Sequence, residues 1–137
     1  MIRLALLLAA LATPGAAWEF SPSPICTLRS TSGDTETEVT YDGALYRIRL
    51  THADGWPDSP IFSIRFAPTG PFISTDRHIV DGSTLEVSDT GFGNVLNGLQ
   101  FNQSASALLD GLSREIDLTG AADPVAEFRD CKPLPLS

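Results

Sequence analysis

Residues 74–101, STDRHIVDGSTLEVSDTGFGNVLNGLQF, decide the fold class because the apolar period changes inside this stretch. Residues 84–88 alternate, with Leu85 and Val87 on one face, which is typical of a half-buried strand. After Asp89 the apolar residues recur at the spacing of a short helix, and Gly98 falls near its expected end. These helix-spaced residues are Phe92, Val95, Leu96 and Leu99. The stretch therefore predicts a strand followed directly by a helix.

Alternation of the same kind dominates the chain before this stretch. It predicts strands at residues 26–31, 36–42, 45–51 and 61–67, and a short strand or a pair of half strands at residues 74–80. The pairs Asp42-Gly43 and Asp81-Gly82 are hairpin signals, because both residue types tolerate positive φ. Neighbouring strands joined by such turns pair antiparallel, so we expect an antiparallel sheet.

The chain after the stretch predicts more helix. Ser104 is placed as the N-cap of a helix over residues 104–112, followed by a strand at 113–119. Asp123-Pro124 is a strong helix start, and that helix runs on to Cys131. The predicted class is α+β: a mainly antiparallel sheet, curled into a sandwich or half barrel, with two or three short C-terminal helices.

The N-terminus has the composition of a secretory signal peptide. One charge at Arg3 precedes an apolar run, and small residues lead up to Ala17, so cleavage is expected after residue 17. The run is too short for a permanent membrane helix. We expect an extended lead-in over residues 18–25, one domain over 26–131 and a loose tail over 132–137, in a periplasmic or secreted protein that is not inserted in a membrane.

The charge balance bears on partners. Eight Lys and Arg and seventeen Asp and Glu follow residue 17, giving a net charge of 8 − 17 = −9. Such a surface repels phosphate backbones and anionic lipid headgroups. Nucleic acid is disfavoured as a partner, which leaves an unknown protein or a small ligand.

The two cysteines lie near the two ends of the predicted domain. In an exported chain, Cys26 and Cys131 form a disulfide more readily than a metal or catalytic site. The bond would close a loop of 131 − 26 = 105 residues and stabilise the fold by about 4–5 kcal/mol in the chain-entropy model. A reactive thiol is the alternative, but no nearby base or C-x-x-C spacing favours it.

Several short sequence motifs resemble those of a family of small exported proteins from alphaproteobacteria. They are WEF-x-P-x-PIC at residues 18–26, GWPDSP at 55–60, FSIRF at 62–66, STDRH at 74–78, GSTLEVSDTGFGNVLNGLQFN at 82–102 and GAADPVAEFRDC at 120–131. The resemblance implies export and supplies no chemistry. Some members carry a name borrowed from an excinuclease subunit, which this sequence does not support because it has no phosphate-binding loop.

Asp89-Thr90-Gly91 is the sharpest enzymatic signal. In aspartic proteases a D-T-G turn presents one of two paired carboxylates, so a chain this short would need to dimerise through Asp89. In aspartic proteases an apolar residue stands directly before the D-T-G sequence, whereas here that position is Ser88. The favoured interpretation is a strand end whose Asp caps the helix starting near Phe92.

Two histidines with carboxylates nearby form a second, weaker signal. His52 has Asp54 and Asp58 close in sequence, and His78 has Asp76 two residues before it. These groups are the types that ligate zinc or act as a general base. No tight ligand spacing is present, so no metal or cofactor is expected.

The loop at residues 52–60 carries a tryptophan, Trp56, that looks exposed. It either anchors a partner or folds back over the end of the sheet, and the sequence leaves both open. We expect a non-catalytic binding module whose working surface is Trp56 with Asp76, Arg77 and His78. The alternative is a small hydrolase using Asp89 in a dimer or a metal at His52 and His78.

Overall fold

A computed structural model describes residues 17–133, and within that range the chain forms ten strands and two helices. The predicted signal peptide and most of the predicted tail lie outside the described residues. The elements are β1 Glu19–Ser21, β2 Cys26–Ser32, β3 Thr35–Tyr41, β4 Tyr46–His52, β5 Phe62–Ala67, β6 Phe72–Thr75, β7 Ile79–Asp81, β8 Thr84–Asp89, α1 Gly93–Phe101, β9 Ser104–Leu109, β10 Leu112–Asp117 and α2 Ala122–Asp130.

The strands form two antiparallel sheets. The larger has the order β1-β2-β3-β4-β8-β7 and the smaller the order β10-β9-β5-β6, and they do not close into a barrel. Thus the α+β class with a mainly antiparallel architecture is confirmed. The edge strands β6 and β7 belong to different sheets and are joined by residues 76–78, so the chain crosses between the sheets there.

The inward faces of both sheets meet in one hydrophobic core. On β9, for example, Ala105, Ala107 and Leu109 are buried and their neighbours are half-buried, as the two-residue period of a strand requires. The larger sheet contributes Leu28, Val39, Ile48, Leu50 and Leu85, and the smaller contributes Phe62, Ile64, Phe66 and Ile116. The alternation of the sequence thus separates a buried face from a solvated one.

The solvated face of the larger sheet carries a row of cross-strand ion pairs. Arg29 on β2 meets Glu38 on β3 at 2.8 Å, and Arg49 on β4 reaches Glu38 at 3.4 Å and Glu86 on β8 at 2.6 Å. The hydrogen bond to Glu86 raises the pKa of Arg49. Because these charges occupy the outer face, any apolar binding surface of this sheet must lie on its inner side.

Both helices pack at one end of the molecule and against each other. The prediction of α1 is confirmed, but Gly98 lies inside the helix rather than at its end. It is buried, and a Cβ at this position would meet the Phe66 ring at 2.3 Å. The helix predicted to start with Asp123 as N-cap and Pro124 as its first residue is α2, which begins two residues earlier, with Ala121 as N-cap and Ala122 as its first residue.

The prediction of a helix over residues 104–112 is wrong, because this segment forms β9 and the start of β10. Asp110 and Gly111 turn the chain between the two strands with φ of +49° and +83°. Two successive residues with positive φ are the mark of a tight hairpin turn. Serine and alanine make up the first four residues of Ser104–Leu109 and differ little in size, so the alternation of buried and half-buried positions is hard to see in the sequence.

The disulfide between Cys26 and Cys131 is confirmed, with a Cα–Cα distance of 6.1 Å. It joins the first residue of β2 to the residue that follows α2, and so holds this helix against the larger sheet. Among residues 17–133, no helix combines the length and the apolar character needed to cross a bilayer.

Candidate functional site

A cleft of about 840 Å³ opens between the two sheets on the side where β6 and β7 form the edges. Its walls come from β4 and β8 of the larger sheet, from β5 and β6 of the smaller, and from the first turn of α1. This volume falls within the range of small-molecule sites in proteins. The cleft exists because no strand of one sheet pairs with a strand of the other along this side, within the described residues.

Six of the seventeen residues that line the cleft are aliphatic and two are phenylalanines. Ile48 and Val87 face it from the larger sheet, and Ile64 and Ile73 from the smaller. The other apolar lining residues are Ile61, Phe62, Phe92 and Val95. Val87, Ile73 and Val95 are only half-buried although they belong to the inward faces. Their apolar surface is therefore available to a bound molecule.

Charged groups also line the cleft. Asp89, the last residue of β8, pairs in register with Tyr46. Asp76 and Arg77 directly follow Thr75, the last residue of β6. Arg77 is exposed and makes no ion pair with any residue of the described chain. The lining thus contains two carboxylates and one guanidinium.

The carboxylate of Asp89 does not cap α1, contrary to the favoured interpretation. The N-cap of the helix is Phe92, and no side chain bonds its free backbone N–H groups. Asp89 instead accepts a hydrogen bond from the N–H of Thr90 at 2.6 Å. The reason is distance along the chain, since Thr90 and Gly91 separate Asp89 from Phe92. The residue lies in the cleft rather than in a capping box.

Trp56 is buried, with 7% of its surface exposed, so it is not the exposed anchor considered from the sequence. Its indole N–H donates to the carbonyl oxygens of Leu50 and Ser83 at 3.0 and 3.1 Å. The guanidinium of Arg114 lies 4.4 Å from the ring centroid. The side chain therefore covers the end of the sheet, which was the other possibility.

The two histidines have separate surroundings. The Nδ1 of His52 accepts a hydrogen bond from the N–H of Asp54, and its ring lies 6.4 Å from that of Trp56. His78 places Nε2 2.8 Å from the carbonyl oxygen of Ser59, and its buried Nδ1 has no partner in the described chain. Neither histidine belongs to a cluster of three or more metal-binding side chains within residues 17–133.

The structure thus divides the expected binding surface. Asp76 and Arg77 line the cleft, whereas Trp56 and His78 do not. Among the apolar lining residues, Val87 was expected only as an inward strand position and Ile73 was not singled out, and no sequence signal separates a core position from a cleft wall.

Comparisons with models of protein families, with curated proteins and with solved structures find no match to this chain.

Proposed function

We propose that this protein is a non-catalytic binding module that takes a ligand with an apolar body into the cleft. In this proposal the two sheets act as a sandwich left open along β6 and β7. The observation that carries the proposal is the half-buried aliphatic lining of Ile73, Val87 and Val95 inside a cleft of about 840 Å³. When a ligand covers apolar surface of this kind and removes it from water, binding becomes more favourable by about 25 cal/mol for each Å² buried.

The polar groups of the cleft support binding better than hydrolysis. An aspartic-type mechanism needs two carboxylates that share a proton. The aspartic-type alternative would take its second carboxylate from Asp89 of a second copy, because one chain supplies one D-T-G turn. Within one chain the charged lining residues Asp76, Arg77 and Asp89 stand beside an apolar surface, an arrangement that fixes the orientation of a bound molecule.

The proposal places this function outside the cytoplasm. Disulfides persist in oxidising compartments, and the bond between Cys26 and Cys131 is of the structural kind that closes most of a chain. The resemblance to small exported alphaproteobacterial proteins agrees with this location. Cell fractionation and the mass of the purified chain test it, because cleavage after residue 17 leaves Trp18 as the first residue.

Binding of a neutral apolar dye, Nile red, tests the cleft directly. The Val87→Phe variant adds a larger side chain to the wall, and we expect dye affinity to fall about tenfold as the volume shrinks. The matched control is Ile79→Phe, which makes a similar enlargement on β7 at a side chain that is 64% exposed and outside the lining. This control should bind the dye as the parent does.

Either of two results would contradict the proposal. The first is the absence of saturable dye binding to the folded parent protein. The second is an equal effect of the two substitutions, because the dye would then bind one of the exposed apolar side chains outside the cleft. Circular dichroism of each variant checks that the sheets remain folded.

A further inference from the structure

We infer that the occupant of the cleft is an extended peptide segment with apolar side chains at alternate positions and basic residues at its ends, paired with the edge of β6. This inference rests on the proposed function and names the class of ligand. It adds a backbone component to the apolar binding described above, because an exposed sheet edge binds an added strand through main-chain hydrogen bonds.

The hydrogen-bond register shows that β6 presents free backbone groups to the open side. The N–H of Phe66 donates to the carbonyl of Pro71, which makes residues 66 and 71 a hydrogen-bonded pair. Such pairs alternate with non-bonded pairs in an antiparallel ladder. Ile73 and Thr75 therefore bond to β5, and the N–H and C=O groups of Phe72 and Ser74 point away from it. These groups form an unpaired edge in the described chain.

The opposite lip of the cleft has free backbone groups as well. The N–H of His52 donates to the carbonyl of Ser83, so residues 83, 85, 87 and 89 bond to β4. The groups of residues 84, 86 and 88 face the other way, toward β7. The strand β7 begins only at Ile79, opposite Glu86, and so leaves Ser88 without a partner strand. Ser74 and Ser88 both line the cleft.

The side-chain geometry fits a strand with a two-residue period. A strand added beside β6 continues the smaller sheet, and every second side chain points into the cleft toward Val87 and Val95. The intervening side chains lie on the outer face beside Phe72, which is 58% exposed. Four residues of β6 span roughly 13 Å, so a partner segment of about six residues covers the edge.

The charges at the cleft select basic ends for such a segment. Asp89 and Asp76 both line the cleft, and Arg77 is the one basic side chain among the described lining residues. The whole chain carries a formal net charge of −8, which attracts cationic partners over a longer range. Lysine or arginine on either side of the apolar positions of the segment would meet these carboxylates.

The probe is a labelled, end-blocked peptide with valine at every second position, threonine between and lysine at both ends. Fluorescence anisotropy measures its binding to the disulfide-bonded protein. The first control has the same composition with its valines adjacent, which removes the alternation. The second control peptide has glutamate in place of lysine, which should weaken binding. The difference in affinity between the lysine and glutamate peptides should shrink as the salt concentration rises, because salt screens the charges.

Two proline variants test the pairing. Ser74→Pro removes the N–H that points away from β5 while the ladder to β5 is kept, and we expect peptide affinity to fall about tenfold. Ser113→Pro is the matched control on β10, the other edge of the same sheet. The N–H of Leu118 donates to the carbonyl of Gln103, so by alternation the N–H of Ser113 also points away from its neighbour. This variant should bind the peptide as the parent does.

A peptide methylated on alternate backbone nitrogens gives the same test on the parent protein if Ser74→Pro does not fold. It should bind about tenfold more weakly because its edge-facing donors are lost. Equal binding of the methylated or the reordered peptide would overturn the inference. Nile red binding without any peptide binding would overturn it while the proposed function stands, and failure of both probes would remove both.

Discussion

The contact between Gly98 and Phe66 predicts that Gly98→Ala destabilises the protein, although alanine is the better helix former. The new Cβ would lie 2.3 Å from Cδ2 of the Phe66 ring and 2.4 Å from Cγ. Ordinary contacts between carbon atoms are about 3.5–4.0 Å, so the ring would have to move by more than about 1 Å. Phe66 is only 2% exposed, and the surrounding core leaves it little space to move.

The sign of the effect follows from two opposing magnitudes. Helix propensity alone would stabilise the alanine variant by about 1 kcal/mol. Overpacking a filled core costs about 1–3 kcal/mol, and here the clash involves the base of a buried ring rather than a flexible end. We therefore expect a net loss of about 1–2 kcal/mol in the free energy of unfolding.

Urea unfolding with the disulfide intact, followed by tryptophan fluorescence, measures this loss. Gly93→Ala is the matched control, because it lies in the same helix and its Cβ would meet no atom within 4 Å. Adding Phe66→Leu to Gly98→Ala should recover about 1 kcal/mol of the destabilisation in a double-mutant cycle. A Gly98→Ala variant as stable as the parent, or more stable, would refute the packing argument.

Two further predictions concern Trp56 and Asp42. Trp56→Phe removes the indole N–H that the carbonyls of Leu50 and Ser83 share, although the Ser83 carbonyl keeps the N–H of His52 as a donor. We expect a cost of about 1 kcal/mol in urea unfolding. In a Trp18→Phe background, Trp56 should resist acrylamide quenching because it is buried. Strong quenching would show an exposed indole. Hydrogen bonds from the N–H groups of Leu45 and Ala44 lower the pKa of Asp42, so its stabilisation is present at neutral pH and lost as the pH falls through the folded-state pKa. An NMR titration of Asp42 that matches an unfolded peptide would contradict this.

The strands could be predicted from the sequence wherever large apolar residues alternate with polar ones. Phe62, Ile64 and Phe66 mark β5 in this way, and all three are buried. The alternation of β9 was missed because Ala105 and Ala107 are small, favour helices and give little contrast with the serines beside them. The Asp110-Gly111 turn was the better signal in that segment.

The candidate site was only partly accessible to the sequence. Asp76 and Arg77 were expected at a binding surface, and both line the cleft. A cleft depends on how far two sheets separate along one side, and no local pattern records that separation. Whether Trp56 is buried could not be decided from the sequence for a similar reason. One of the two acceptors of its indole N–H, the carbonyl of Ser83, lies 27 residues away in the chain.

The disulfide also determines what a protease can release. The disulfide closes a loop across a sequence separation of 105 residues that contains both helices and all the described strands except β1. A single cut anywhere between Cys26 and Cys131 therefore leaves both fragments joined in one covalent molecule. An intact and a nicked molecule therefore have almost the same mass until a reductant is added. The same bond carries mechanical load: tension applied at the two ends passes through the sulfur atoms, so among the described strands only β1 lies in its path and the cleft is bypassed.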